Sequence, residues 1–244
     1  MQIADGLHRI GSDPHGTVNS YLVVDGGEVT IIDAGLPAHR RHLVDELASL
    51  GLTLDAVKAL VLTHGDTDHI GFASWLSHET GVPARIHTAD VERARKKETK
   101  PNSGWGPIKV GALAGFLWYS ARNGGLRIPP VAEVTAFSDG DVLDVPGKPR
   151  IIHVPGHTPG SVAVHVPSVD ALFLGDAMTT RNVLTGVEGP KPAPFTLDPH
   201  QARESLDRIE AVDATWVLPG HGPAWDGGVT DAVRLIRADD APAA

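Results

Sequence analysis

The sequence predicts an α/β chain in which two β-sheets pack together with helices on the outside. Three observations carry this. Apolar runs of strand length alternate with helical patterns along both halves of the 244 residues. Apolar residues make up 41% of the chain, enough for a sizeable core. No repeat and no linker interrupts it, so residues 1–244 read as a single domain.

The elements follow in order. Residues 18–24 and 28–33 read as strands joined by a hairpin at Asp25-Gly26-Gly27. Residues 38–50 read as a helix, with Leu43, Leu47 and Leu50 at helical spacing and Gly51 as its stop. Residues 57–62 are a buried strand that runs into a histidine-rich turn. A further helix is expected from His69 to near Gly81, then a strand at 84–87 and a charged helix over 89–98. The Gly- and Pro-rich stretch 99–132, with a helix at about 108–122, reads as a lid or insertion. Strands are expected at 133–137, 142–145, 150–154, 161–166 and 170–174, and a polar loop at 181–198. A helix at 199–211 has Asp198 as its cap and Pro199 at its first position. A strand at 215–218 and a helix at 229–237 complete the pattern.

Composition narrows the chemistry. There are no cysteines, which excludes disulfides, thiolate metal sites and cysteine nucleophiles. A transition metal would have to be held by nitrogen and oxygen. The net charge of −9 argues against nucleic acid as a partner. Met1 to Asp5 carry neither a basic segment nor an apolar core, so no secretory leader is expected. No apolar run approaches the ~20 residues needed to span a bilayer. A soluble cytoplasmic protein without membrane association is the expectation.

The densest signal is Thr63-His64-Gly65-Asp66-Thr67-Asp68-His69, which places four ligand-type side chains within six residues after an apolar strand. Such crowding of imidazole and carboxylate is costly to fold unless a cation holds it together. His157, Asp176 and His221 each follow a predicted strand in a glycine-flanked turn. Rigid strands would thus deliver all seven to one edge.

With these motifs, in this order, the chain closely resembles the metallo-β-lactamase superfamily from Ile32-Asp33-Ala34-Gly35 to His221. The resemblance implies a four-layer αββα sandwich with two metals at one edge of the packed sheets. By position, the first metal would take His64, Asp66 and His157. The second would take Asp68, His69 and His221, with Asp176 bridging. A bridging hydroxide would be the nucleophile, with Asp68 and Asp176 orienting it as the catalytic carboxylates. Two divalent ions are therefore expected, zinc first, with manganese or iron as alternatives.

One ligand departs from the family's common H-x-H-x-D-H pattern: Asp66 stands where the second histidine usually is. An extra carboxylate makes the centre formally neutral, which should weaken Lewis acidity and favour harder cations. Asp33 is expected to support a turn rather than ligate. Thr63, Thr158 and Ser161 are expected to hydrogen-bond turns or ligand carboxylates. His39, His42, His78, His87 and His200 read as helix-surface or turn residues, and His153 and His165 as ordinary strand residues.

The family hydrolyses many bonds, so substrate must come from the pocket. Trp105, Phe116, Trp118 and Tyr119 of the insertion would form an apolar wall over the metals or pack the insertion to the body, and such aromatic surfaces would also suit a homodimer. The basic run Arg93, Arg95, Lys96, Lys97 and Lys100 reads as a solvated helix face, with attraction of an anionic substrate as the alternative. Only a short helix and tail follow His221, unlike glyoxalase II-like thioesterases. Acyl-homoserine-lactone lactonases place a tyrosine three residues after the bridging aspartate, where this chain has Thr179. No flavin domain follows, as it does in diiron flavoproteins, and the large inserted domain of the nucleic-acid-processing branch is missing. The expectation is a small-molecule hydrolase of an ester, lactone, thioester or related bond. The rival readings are an iron-dependent oxidoreductase on the same fold and a metal-stabilised binding protein with little turnover.

Overall fold

The computed structural model describes residues 1–11, 13–98 and 106–239. Strands β1 (Gln2–Ala4), β2 (Leu7–Arg9), β3 (Tyr21–Asp25), β4 (Glu28–Ile32), β5 (Val57–Val61), β6 (Ala84–His87) and β7 (Val134–Phe137) form one sheet in chain order. It is antiparallel from β1 to β4 and parallel from β4 to β7. Strands β8 (Arg150–His153), β9 (Val162–Val166), β10 (Ala171–Gly175) and β13 (Trp216–Pro219) form a second sheet in the order β13-β10-β9-β8. A two-stranded hairpin, β11 (Thr179–Arg181) and β12 (Glu188–Lys191), lies apart from both.

Strand alternation explains the layers. In the first sheet Leu22, Ile31 and Leu60 pack on helices α1 (Arg40–Ser49) and α2 (Ala73–Thr80), through Leu43, Leu47 and Leu76. Their neighbours Val23, Ile32 and Val61 face the other way and meet Val164, Phe173 and Leu218 of the second sheet. That sheet's outer face, with Ala163, Leu172 and Val217, packs on Leu206 and Ile209 after helix α5 (Pro199–Ser205) and on Val233 and Ile236 of α6 (Val229–Asp239). The result is a four-layer αββα sandwich. Among the described residues no helix is long and apolar enough to cross a membrane.

Several expectations need correction. Helix α2 begins at Ala73, not at His69. Residues 69–72 instead bond to the preceding turn, with Ala34 N–H donating to His69 O and Gly71 N–H to Gly35 O. That contact has no room for a side chain, because a Cβ on Gly71 would lie 2.3 Å from Gly35 O. The expected helix over 89–98 shrinks to a 3-10 turn at Thr88–Asp90 and α3 (Val91–Ala94). The expected strand at 142–145 is a single bridge between Val142 and Arg150. Leu143 O instead accepts from Val145 N–H in a tight turn ahead of Pro146. The loop expected at 181–198 contains β12, and β1 and β2 escaped the sequence pattern because each has only three residues.

In the insertion, α4 (Val110–Arg122) matches the expected helix, and Trp105 lies outside the described residues. Phe116 approaches His221, with ring centroids 6.3 Å apart, and Tyr119 Oη lies 3.1 Å from His39 Nε2. Trp118 is exposed, with Arg122 over its ring.

Candidate metal centre

The carboxyl ends of parallel β4, β5 and β6, and of β8, β10 and β13, share one edge of the sandwich. Open edges of this kind are where α/β sheets place ligand-binding loops. Asp33 follows β4, His64 follows β5, and Asp90 follows β6. His157, Asp176 and His221 follow β8, β10 and β13. Two ties hold the sheets together there. Val162 N–H donates to Thr63 O at 2.9 Å, and Tyr21 Oη donates to Pro219 O at 2.7 Å.

All seven candidate ligands come together. Ligand atoms of His64, Asp66 and His157 lie within 4.8 Å of one another, as do those of Asp68, His69 and His221, and those of His64, His69 and Asp176. Asp176 stands between the first two groups. Its Oδ2 is 3.5 Å from His157 Nε2 and 3.3 Å from His221 Nε2, and its Oδ1 is 3.5 Å from His69 Nε2. Asp66 Oδ2 is 3.2 Å from His157 Nε2, and Asp68 Oδ2 is 3.5 Å from His221 Nε2. The fit is tight: a Cβ on Gly220 would lie 2.5 Å from both Asp176 Oδ1 and His69 Cε1.

The far nitrogens of the four imidazoles are all engaged. Thr63 Oγ1 donates to Asp33 Oδ2, so it accepts from His64 Nδ1 at 3.0 Å. Asp33 Oδ2 also accepts from His69 Nδ1 at 2.8 Å. Thr196 Oγ1 donates to Ala193 O, so it accepts from His157 Nδ1 at 3.2 Å. His221 Nδ1 donates to Thr17 O at 2.6 Å. Each Nδ1 therefore carries a proton, which leaves each Nε2, facing the cluster, as the nitrogen able to ligate.

These residues could hold divalent metal ions. His64 Nε2, His69 Nε2 and Asp176 Oδ1 are fully buried with no hydrogen-bond partner. Three such orphans on one surface would be costly unless an ion sat among them. The donors are four imidazole nitrogens and three carboxylates, suited to zinc, manganese or iron.

Electrostatics within the protein point the same way. Burial would lower His221, but Asp176 and Asp68 outweigh it and lift its pKa to about 9. His69 is likewise opposed by burial and held well above its ordinary range by Asp33 and Asp176. Burial, reinforced by His69, pushes His64 well below its range. Asp176, although buried, is held well below the carboxylate range by His221, His69 and His157. Without cations, protons on His221 and His69 offset part of the carboxylate charge.

Two residues here were not assigned from sequence. Asp90 is fully buried. Its Oδ2 accepts from Gly65 N–H at 2.8 Å and Thr158 Oγ1 at 2.7 Å, and its Oδ1 accepts from Gly160 N–H at 2.8 Å. It therefore bolts the His64–Asp66 loop to the His157 loop. The available signal was an aspartate just past strand 84–87, at the same edge as the ligands.

Arg93 is the second, and it corrects the expected solvated basic face. It is buried, and its guanidinium donates to Asp66 Oδ1 at 3.1 Å. Arg95 and Lys97 pair with Glu92, Lys96 donates to Ile128 O, and Lys100 lies outside the described residues. His39 and His87 also depart from surface roles. His39 is buried against Tyr119, and His87 stacks on His153 with centroids 4.2 Å apart. His42, His78 and His200 are exposed as expected.

The family model described as "Metallo-beta-lactamase superfamily" matches residues 13–221, and the chain belongs to that superfamily. It is 28% identical over 235 residues to the probable metallo-hydrolase YflN of Bacillus subtilis, covering 91% of this chain and 86% of that one. It is 26% identical over 212 residues to the acyl-coenzyme A thioesterase MBLAC2 of Gallus gallus, covering 83% and 72%. Among solved structures it resembles TTHA1623 in a di-iron-bound form, at 26% identity and a TM-score of 0.62, covering 90% and 94%.

Proposed function

We propose that the chain is a binuclear metallo-hydrolase acting on a small-molecule ester, lactone or thioester. The observation that carries this reading is the meeting of seven ligand side chains around three buried, unpartnered polar atoms. In the proposed assignment His64, Asp66 and His157 hold one cation, Asp68, His69 and His221 hold the other, and Asp176 lies between. When bound, the two cations would supply Lewis acidity and a hydroxide nucleophile at neutral pH.

The protein's own groups have separable tasks. Asp33, Thr63, Thr196 and the Thr17 carbonyl fix the imidazole orientations. Asp68 and Asp176 orient the attacking water, and Asp68, with its side chain 22% exposed, is the better placed to pass a proton to the leaving group. Phe116 narrows the approach beside His221 and excludes water there.

Arg93 amends the charge reading of Asp66. The extra carboxylate would neutralise the centre, and the guanidinium, which also lies 4.0 Å from Asp90 Oδ1, offsets only part of that negative charge. Asp66 thus divides its oxygens, Oδ2 toward His157 and His64 and Oδ1 toward Arg93. Lewis acidity is then less reduced, relative to the common H-x-H-x-D-H pattern, than the Asp66 carboxylate alone would make it.

The test is to strip the protein with a chelator, reload it with zinc, manganese or iron, and assay esters, lactones, thioesters and phosphodiesters. Stoichiometric product that disappears on chelation and in Asp176→Ala supports the reading. Absence of turnover in every loaded form refutes it. A second reading, iron-dependent oxidation, is favoured by the Asp66 carboxylate and by the di-iron-bound relative. Substrate-dependent oxygen consumption by the iron form alone would select it.

A further inference from the structure

A cavity of about 370 Å³ lies beside the candidate centre, between the start of the lid at Gly106 and Pro107, the loop 192–196, α5 and α6. Its size falls in the range of small-molecule sites, about 300–1,000 Å³. Ala177, Pro194, Ala202, Leu206 and Ile236 make its wall largely apolar, and Asn182, Thr196 and Arg203 complete the polar part.

Two residues of this cavity neighbour candidate ligands. Thr196 lines it and holds His157 through Nδ1 at 3.2 Å. Ala177 lines it and directly follows Asp176. The loop between is held in an uncommon shape, with Phe195 at φ 60° in the left-handed region. A non-glycine residue is strained in that region, and such strain concentrates at ligand sites. Prolines at 192, 194 and 199 stiffen the same wall.

We infer that this cavity seats the acyl chain of the substrate, so that the substrates are medium-length acyl esters or thioesters. The inference rests on the hydrolase reading above and deepens it. In the reaction the hydroxyl of water bonds to the acyl carbon, and the carbon–oxygen or carbon–sulfur bond breaks. The remaining proton goes to the departing alcohol or thiol, and the free acid is left. Polar contacts in the cavity are confined to Asn182, Thr196 and Arg203, and the rest of its wall is apolar. An alkyl chain gains from each buried methylene, about fourfold in kcat/KM.

Two measurements test this, one independent of turnover. The first is calorimetric binding of uncharged 1-octanol, which has no carboxylate to reach a metal, to the metal-loaded protein. The second is kcat/KM for acetyl through decanoyl esters and thioesters of one alcohol or thiol. Both are made on the wild type and on Ile236→Phe and Ile236→Trp, which enlarge a cavity-lining side chain on α6 in steps, so that the smaller substitution still reports if the larger fails to fold. The expected result is saturable octanol binding, weakened tenfold or more by filling. The octanoyl-to-acetyl ratio should rise with chain length in the wild type and collapse in the variants. Octanol binding that filling weakens, with no ester turned over, would keep the cavity as an apolar ligand site and sink the hydrolase reading. Turnover with a flat chain-length profile and octanol binding indifferent to Ile236 would overturn the cavity assignment and leave the hydrolase intact.

Discussion

Replacing Asp90 by alanine should weaken metal binding without touching any candidate ligand. Its carboxylate accepts from Gly65 N–H, Gly160 N–H and Thr158 Oγ1, all at 2.7–2.8 Å and all buried. Thr158 Oγ1 has a second partner in Ser161 Oγ at 2.8 Å, so its hydroxyl can turn. The two backbone N–H groups have no such substitute in the structure. Each orphaned buried donor costs about 1–3 kcal/mol, which puts the loss of folding stability at roughly 2–6 kcal/mol. The same change frees the His64–Asp66 loop from the His157 loop. Loss of a residue that orients ligands typically weakens metal affinity about 10–100-fold. Asp90→Asn keeps the shape and one acceptor, so it should fall between alanine and the wild type. Urea unfolding of the metal-free proteins reads the first effect, and competition against a chromophoric chelator reads the second. A folded Asp90→Ala protein that binds metal within twofold of the wild type would refute the bolt.

Three further outcomes are expected. Arg93→Met removes the cation 3.1 Å from Asp66 Oδ1 and leaves the centre more negative. The acid limb of the pH–rate profile should then move up by about one unit or more, and an unchanged profile would remove Arg93 from the charge balance. Burial, with His42 nearby, lowers the pKa of His39 to about 4. The neutral form is therefore favoured by folding, and this stability is present above about pH 6.5 and lost as pH falls toward 4. Wild type should lose about 3 kcal/mol more than His39→Gln between pH 7.5 and pH 4 in urea unfolding, and equal losses would contradict this. Finally, at pH 7.5 the metal-free protein carries protons on His221, with its pKa of about 9, and on His69. Loading with zinc should release about one to two protons per chain, read from calorimetry in buffers of different ionisation enthalpy, and release of none would contradict the proposed ligands.

Much of the fold and the candidate site was legible because the signals are local. His64, His157, Asp176 and His221 each end an apolar strand and sit beside glycine, so strand and turn patterns alone place them at one edge. What was not legible depends on contacts far apart in sequence. Arg93 lies in a run of basic residues whose other described members pair locally or reach Ile128 O, and only the folded chain shows it reaching back to Asp66. Asp90 bonds residues 25 and 70 positions away. The helix expected from His69 failed for a related reason. Apolar spacing over 69–80 suits a helix, but the backbone at Gly71 is captured by Gly35.

The central claim is that seven side chains hold two cations, and anomalous diffraction from crystals of the zinc- or manganese-loaded protein tests it directly. Two peaks are expected. One should lie about 2.0–2.2 Å from His64, Asp66 and His157, the other at the same distance from Asp68, His69 and His221, with Asp176 reaching both. A single peak, or two peaks that leave Asp66 or Asp176 outside the coordination sphere, would contradict it.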